Sequence, residues 1–216
     1  MLNAASQKLL IPGPVGAIDV SLDMPTQAIR GAAIVAHPHP LYGGARDNKV
    51  VQTLARTLVS LGYVCWCPNF RGVGASEGAY DEGSGESEDL LTLSKHALTH
   101  SSVAALAEPK RLVLAGFSFG SFVQTRVHDR LLAINVPVEK LILVGAPVAR
   151  FAMVRAPATT LVIHGEIDDV APLADVFRWA QTHELAVTVI PGADHFFHRK
   201  LSLIKQIVTQ AWPVTN

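Results

Sequence analysis

Six short apolar runs alternate with longer segments of helical periodicity, and this alternation constrains the fold more than any other feature of the sequence. The runs are Ala32–Ala36, Tyr63–Cys67, Leu112–Ala115, Leu141–Val144, Leu161–Ile163 and Val187–Ile190. Because they are continuous rather than interrupted by polar residues, both faces of each predicted strand should be covered. The pattern predicts an α/β fold with a doubly wound, mostly parallel sheet and helices on both faces.

Four other segments have the three- and four-residue apolar spacing of amphipathic helices. Their apolar positions begin at Val50, Phe119, Leu173 and Leu201. Asp47 or Asn48 is placed to cap the first helix, and Pro172 suits the first position of the third. Ahead of the first run, Lys8–Ile11 and Gly16–Leu22 predict a leading hairpin.

The chain is expected to form one domain. A chain of 216 residues can bury a large core without help from a metal or a disulfide. We find no internal repeat and no linker long enough to separate two domains, so residues 1–216 are interpreted as one unit. The Gly-, Ser- and Glu-rich stretch Gly72–Ser87 is predicted to be the least structured region, with the length of a functional surface loop.

Composition excludes several classes of protein. A hydrophobic content of 49% with only 17% charged residues excludes a disordered chain. Eighteen basic and 18 acidic residues give no net charge, which argues against nucleic-acid and membrane partners. No segment has the length of a transmembrane helix, and we expect a cytoplasmic protein. Cys65 and Cys67 are interpreted as small buried hydrophobes in a reducing compartment.

The strongest chemical signal is Gly116-Phe117-Ser118-Phe119-Gly120, which follows a predicted strand and opens a predicted helix. A serine on such a turn has a strained backbone and a hydroxyl that projects above the sheet edge. The flanking glycines remove side chains that would collide across the turn. The backbone N–H of Phe119 points to where a tetrahedral oxyanion would form. This context predicts Ser118 as a nucleophile rather than as part of an ordinary glycine-rich turn.

A serine hydroxyl needs a general base, and the base needs an orienting carboxylate. His195 lies in a turn directly after the strand Val187–Ile190, at the carboxyl edge of the sheet where ligands bind in such folds. His198 is the rival, but it is expected to begin the last helix. Three other histidines follow Ser118, in or at the end of helices and strands: His128, His164 and His183. The sequence therefore predicts His195 as the base.

The acid should come from another loop at the same edge. Glu166, Asp168 and Asp169 all follow the strand that ends near Ile163. Each of them could instead cap the next helix, so the residues alone leave the choice open. Asp194 is rejected, because a chain neighbour of the histidine is badly oriented to hold its Nδ1.

A second oxyanion donor is expected from the loop His37–Gly44, which follows the first apolar run. Pro38 and Pro40 stiffen this loop and have no N–H to donate. The remaining candidate donors are the backbone N–H groups of His39, Leu41 and Tyr42.

Neither a metal nor a nucleotide cofactor is expected. His37 and His39 are two residues apart, but no cysteine or carboxylate cluster at ligand spacing accompanies them. Gly72-Val73-Gly74 resembles the start of a dinucleotide fingerprint, yet Glu77 stands where the third glycine belongs.

Taken in order, five stretches resemble the α/β-hydrolase superfamily, specifically the small bacterial hydrolases grouped near dienelactone hydrolases. They are His37–Gly44, Pro68–Gly78, Ala115–Gly120, His164–Asp168 and Pro191–His198. The resemblance implies an α/β-hydrolase fold with Ser118 as nucleophile, His195 as base and Asp168 as acid. It also implies that the loop Asn69–Gly78 borders the site, with Arg71 in a structural role. Dienelactone hydrolases have cysteine where this chain has serine.

Only about fourteen residues, Gly145–Ala158, lie where many relatives insert a cap, so no cap domain is expected. An open, shallow site favours small substrates. The expected function is a serine hydrolase that cleaves small or exposed carboxylic esters through an acyl-enzyme. A thioesterase or small peptidase with the same triad, or a binding protein on a hydrolase fold, remains an alternative.

Overall fold

Eight strands form one sheet in the computed structural model, which describes residues 6–212. The strands are β1 (Gln7–Gly13), β2 (Gly16–Asp23), β3 (Gly31–Ala36), β4 (Tyr63–Pro68), β5 (Leu112–Phe117), β6 (Lys140–Val144), β7 (Leu161–Gly165) and β8 (Val187–Ile190). The helices are α1 (Lys49–Ser60), α2 (Ser84–Thr99), α3 (Ser101–Ala104), α4 (Phe119–Ala133), α5 (Leu173–His183) and α6 (Leu201–Gln210). Each of the six predicted apolar runs is a strand, and each of the four predicted amphipathic segments is a helix.

The strands lie in the order β1-β2-β4-β3-β5-β6-β7-β8. β1 and β2 form the predicted antiparallel hairpin, and β2 pairs antiparallel with β4. All pairings from β4 to β8 are parallel. The carboxyl ends of these strands therefore share one edge, where the loops after β3, β5, β7 and β8 meet.

Helices cover both faces of the sheet, so its side chains belong to two separate cores. Leu54 of α1 and Ile204 of α6 pack on one face together with Phe117. Residues of α2, α4 and α5 pack on the other face, which includes Phe119. Phe117 ends β5 and Phe119 begins α4, so the sharp turn at Ser118 places their side chains in different cores.

Helix α2 begins inside the stretch predicted to be least structured. The carboxylate of Glu86 accepts hydrogen bonds from the backbone N–H groups of Asp81 at 2.9 Å and Gly83 at 2.8 Å, which caps the first turn. Several buried positions of α2 are polar, so its apolar spacing is weak: Glu86, Ser87, Asp89 and Ser94. The apolar pattern therefore missed this helix.

Two predicted boundaries are wrong by a few residues. Pro172 is the N-cap of α5 rather than its first helical residue, because its ψ of 131° is extended. His198 lies in a turn and α6 begins at Leu201. Asn48, by contrast, caps α1 as predicted, accepting from the N–H of Val50 at 2.9 Å.

Both cysteines lie on one face of β4 and are completely buried, with Cys65 Sγ 3.9 Å from Cys67 Sγ. Within residues 6–212, no helix has the length and apolar character needed to cross a bilayer.

Candidate active site

Ser118 occupies a sharp turn between β5 and α4. Its φ of 53° and ψ of −121° are strained for a residue with a side chain. Its own N–H donates to the carbonyl of Val144 at 2.8 Å, which pins the turn to β6. The turn needs glycine at position 120, since a Cβ there would lie 2.5 Å from the carbonyl oxygen of Ala36. The strand and the helix therefore fix the position of the serine hydroxyl.

The structure brings the three residues of the predicted triad together. Ser118 Oγ lies 3.0 Å from His195 Nε2, and His195 Nδ1 lies 2.7 Å from Asp168 Oδ2. Because the carboxylate can only accept, His195 Nδ1 carries the proton and Nε2 accepts from the serine hydroxyl. All three side chains are largely buried. This is the arrangement in which a histidine can remove the serine proton.

Asp168 uses its two oxygens for different purposes. Oδ1 accepts from the backbone N–H groups of Val170 at 3.0 Å and Ala171 at 2.7 Å, which leaves Oδ2 for His195. Burial alone would raise the pKa of Asp168, but the hydrogen bonds from His195 and Ala171 outweigh it and lower that pKa. The carboxylate therefore stays ionised near neutral pH.

The other acids considered from the sequence have different partners. Glu166 Oε2 accepts from the N–H of Gly192 at 2.7 Å and so joins the loops after β7 and β8. Asp169 is exposed. Asp194 pairs with the rival histidine, His198, whose Nδ1 lies 2.5 Å from Asp194 Oδ2.

Three further histidines follow Ser118 in the chain. His164 is fully buried, with Nε2 2.7 Å from the carbonyl of Ala171 and 3.4 Å from Asp168 Oδ2. It supports the acid's loop, and burial lowers its pKa. His128 and His183 lie in α4 and α5 and are partly buried.

The loop after β3 narrows the choice of a second oxyanion donor. The N–H of Leu41 donates to His39 Nδ1 at 3.3 Å, and the N–H of Tyr42 donates to the carbonyl of His39 at 3.1 Å. In the described part of the chain, the N–H groups of His39 and Phe119 have no acceptor. Of the three candidates, His39 is therefore the one whose N–H is available, and Leu41 and Tyr42 use theirs inside the turn.

His37 connects the loop His37–Gly44, called the oxyanion loop below, to the loop after β4. Its Nδ1 lies 2.6 Å from the carbonyl of Pro38, and its Nε2 accepts from the N–H of Phe70 at 2.9 Å. His39 turns elsewhere, with Nε2 3.2 Å from the hydroxyl of Tyr80. The two histidines thus serve separate contacts and do not converge on a common point.

Burial lowers the pKa of His37 to about 4, so the imidazole is neutral in the folded protein. Between that value and its usual pKa of 6.5, only the unfolded chain takes up a proton at this residue. We therefore expect the free energy of unfolding to fall as the pH drops through this window, by roughly 3 kcal/mol for His37 alone. The contribution of neutral His37 to stability is complete above pH 6.5, the pKa in the unfolded chain, and it is lost once the pH falls to about 4, the pKa in the folded protein.

Urea unfolding across this pH window measures the effect. His37→Gln removes the titrating group, so its stability should approach that of the wild type as the pH falls. The pKa of His39, His128 and His164 is also lowered by burial, which adds to the wild-type loss in the same direction. An unfolding free energy that stays constant across the window would contradict this assignment.

A buried polar network that the sequence did not reveal supports the oxyanion loop. Asp19 of β2 accepts from Arg46 at 2.5 Å, from the side chain of Asn69 at 2.9 Å and from the N–H of Ala75 at 3.2 Å. Asn69 Oδ1 also accepts from the N–H of Arg46 at 3.0 Å. These bonds connect Arg46, two residues after the loop His37–Gly44, to the loop after β4.

Arg71 has the structural role that was expected of it. It forms a bidentate pair with Asp89 of α2, at 2.8 Å and 2.7 Å, and both side chains are buried. The pair anchors the loop Asn69–Gly78 to the helix, beside the site.

Comparison with known proteins places the chain in a family. No family model matches it. An uncharacterized protein of Rickettsia prowazekii is 34% identical over 201 residues, which cover 87% of this chain and 81% of that protein. An α/β serine hydrolase homologue from Coxiella burnetii is 34% identical with a TM-score of 0.85, over 99% of this chain and 100% of the other. This chain belongs to the α/β-hydrolase superfamily. The present chain is also similar to a lidless α/β serine hydrolase from Xanthomonas campestris. The two are 35% identical with a TM-score of 0.83, over 100% of this chain and 99% of the other.

This chain also has no cap domain between β6 and β7. Residues 145–160, between β6 and β7, are all described and contain neither helix nor strand. A dienelactone hydrolase from Anabaena variabilis shares the fold at 16% identity, with a TM-score of 0.72 over 95% of this chain and 96% of the other.

Proposed function

We propose that this α/β-hydrolase cleaves small or exposed carboxylic esters through an acyl-enzyme on Ser118. The observation that carries the proposal is the continuous hydrogen-bonded chain from Ser118 through His195 to Asp168. Among the described residues, no acceptor meets the N–H of Phe119, the residue after the serine, or the N–H of His39 in the loop after β3. Such a set supplies the nucleophile, base, acid and oxyanion site that acyl transfer requires.

The reaction follows from the positions of the groups. Ser118 Oγ attacks the ester carbonyl carbon while His195 Nε2 takes its proton, and Asp168 stabilises the resulting imidazolium. The N–H groups of His39 and Phe119 hold the negative oxygen of the tetrahedral intermediate. His195 then protonates the leaving alcohol. In the second half, His195 removes a proton from a water molecule that attacks the acyl carbon, and it returns that proton to Ser118 Oγ as the carboxylic acid leaves.

The absence of a cap in residues 145–160 supports small or exposed substrates. Apolar side chains are exposed in the loops that carry the site: Leu41, Tyr42, Ile167 and Phe196. A site of this kind can bind a compact apolar group but has no enclosed tunnel for a long lipid chain.

The role of the His39 N–H can be tested with a matched pair of variants. His39 has a φ of −55°, which proline also adopts, so His39→Pro should remove the donor without disturbing the loop. His39→Ala removes the same imidazole but keeps the N–H. We expect kcat of His39→Pro to be about 10²–10³-fold below that of His39→Ala, the usual cost of losing one oxyanion donor. Equal kcat values for the two variants would assign the donor elsewhere.

The bond type is tested with a panel of matched acetyl compounds: p-nitrophenyl acetate, acetyl-CoA and an acetylated p-nitroanilide. We expect kcat/KM to be highest for the ester, with the activity dependent on Ser118. Turnover of only the thioester or only the amide would make the protein a thioesterase or a peptidase instead. The absence of Ser118-dependent turnover on all three would favour a binding protein.

A further inference from the structure

The aromatic and imidazole rings near Ser118 form two sets, one that includes the ring of Phe119 and one that includes the ring of His195. The first set, called the oxyanion-side rings, comprises His39, Tyr42, Tyr80, Phe119, Phe122 and Phe151. The second set, called the base-side rings, comprises Phe117, His195 and Phe196. Among the described residues, no ring of one set packs on a ring of the other. The division follows from the sheet, because Phe117 and Phe119 belong to different cores.

The chemistry assigns one part of the substrate to each side. The leaving alcohol must receive its proton from His195 Nε2, so it lies among the base-side rings. The carbonyl oxygen must reach the N–H groups of His39 and Phe119. The acyl substituent is bonded to the same carbon and takes a third direction, which leaves the oxyanion-side rings for it, since His39 and Phe119 carry two of those rings.

The oxyanion-side rings are layered. Phe119 and Phe122 are buried, and they support Phe151, whose ring stacks on that of Phe122 at 4.8 Å. Above them the ring of His39 packs against Tyr42 at 4.7 Å and Tyr80 at 5.0 Å. The upper layer is open: Tyr42 is 79% exposed, and His39, Tyr80 and Phe151 are only partly buried.

Four rings from three different loops, those of His39, Tyr42, Tyr80 and Phe151, are therefore partly or largely exposed, so a ligand can reach part of each ring. A flat ring packs on such rings better than an aliphatic group of the same size, because aromatic pairs gain from their quadrupoles as well as from buried area. The hydroxyl of Tyr80, 3.2 Å from His39 Nε2, adds one polar group to this otherwise apolar surface.

We propose that the preferred substrates are esters of aromatic carboxylic acids, whose acyl ring stacks on His39, Tyr42, Tyr80 and Phe151. The proposal rests on the ester hydrolysis proposed above and specifies its acyl group. The reaction is unchanged: the ester and one water molecule give the aromatic acid and the alcohol.

The test compares methyl phenylacetate with methyl cyclohexylacetate. These esters share the leaving group and the methylene next to the carbonyl, and they differ in whether the ring is flat and aromatic. We expect kcat/KM of the wild type to favour the phenyl ester by about tenfold, the range of one or two aromatic contacts. Tyr42→Leu and Phe151→Leu keep apolar bulk but remove a flat face, so each should lower this ratio at least about threefold.

Two controls separate acyl recognition from general effects. Phe177→Leu changes an exposed aromatic residue on α5, and it should leave the ratio at the wild-type value. With benzyl acetate and cyclohexylmethyl acetate, the ring moves to the alcohol, and Tyr42→Leu should then have no effect on the ratio.

Each outcome has one interpretation. A ratio near one in the wild type, a ratio that Tyr42→Leu and Phe151→Leu leave unchanged, or a preference that follows the alcohol would overturn the proposal. Those results would leave ester hydrolysis itself intact, since Ser118-dependent turnover of both esters would persist. The loss of all Ser118-dependent turnover would instead refute the proposed function and this inference with it.

Discussion

Ser118→Ala should reduce kcat for ester hydrolysis by at least about 10⁴-fold, because no other group can form the covalent intermediate. Only the hydroxyl is lost, and the backbone bond from Ser118 N–H to Val144 remains. Steady-state kinetics on p-nitrophenyl acetate measure the loss, and circular dichroism checks the fold.

The matched control for this variant is Ser202→Ala, which changes an exposed serine on α6. It should retain wild-type kinetics. If Ser118→Ala kept more than a few per cent of the activity while Ser202→Ala kept all of it, hydrolysis would be proceeding without Ser118 as nucleophile.

Asp168→Asn should lower kcat by roughly 10³–10⁴-fold although it changes the shape of the side chain very little. The N–H groups of Val170 and Ala171 both donate to Oδ1, so the amide oxygen of asparagine must remain with them. The amide nitrogen then replaces Oδ2 and faces His195 Nδ1 with a donor. Two donors cannot pair, so His195 moves its proton to Nε2, where it can no longer accept from Ser118.

Kinetics of Asp168→Asn and of Asp169→Asn test this reasoning. The second variant neutralises an exposed carboxylate one residue along the chain and should behave like the wild type. Nitrogen NMR of His195 should show the changed tautomer in Asp168→Asn. A loss below about tenfold in Asp168→Asn, or equal losses in the two variants, would exclude Asp168 as the orienting acid.

Most of the sheet could be predicted from the sequence because its strands are buried on both faces and therefore read as continuous apolar runs. Helix α2 could not, since its buried face includes Glu86 and Asp89. Those carboxylates are tolerated only because Arg71 and backbone N–H groups meet them in three dimensions.

In the site, too, some residues could be predicted from the sequence and others depended on contacts in the folded chain. Ser118 and His195 could be predicted because each follows a strand on a short turn whose direction the strand dictates. The residues alone left the acid a choice among Glu166, Asp168 and Asp169, and before the hydrogen-bond partners were known only the family resemblance pointed to Asp168. The oxyanion donor depended on a turn in which Leu41 uses its N–H on His39 Nδ1, a bond that the prolines in the sequence do not reveal.

The polar network around Asp19 was beyond prediction for another reason. Its members, Asp19, Arg46 and Asn69, come from β2, from the loop before α1 and from the loop after β4. No local pattern joins residues so far apart in the chain. The antiparallel pairing of β2 with β4 places Asp19 beside Asn69, and Arg46 from the loop before α1 bonds to both.

Labelling with a fluorophosphonate, followed by peptide mass analysis, tests whether Ser118 is the activated nucleophile. The reagent forms a stable adduct that resembles the tetrahedral intermediate, so the measurement does not depend on which catalytic step is slow. We expect one label per folded chain, on Ser118, and none after unfolding. Folded protein that takes up no label, or takes it up on a different residue, would show that Ser118 is not the activated nucleophile.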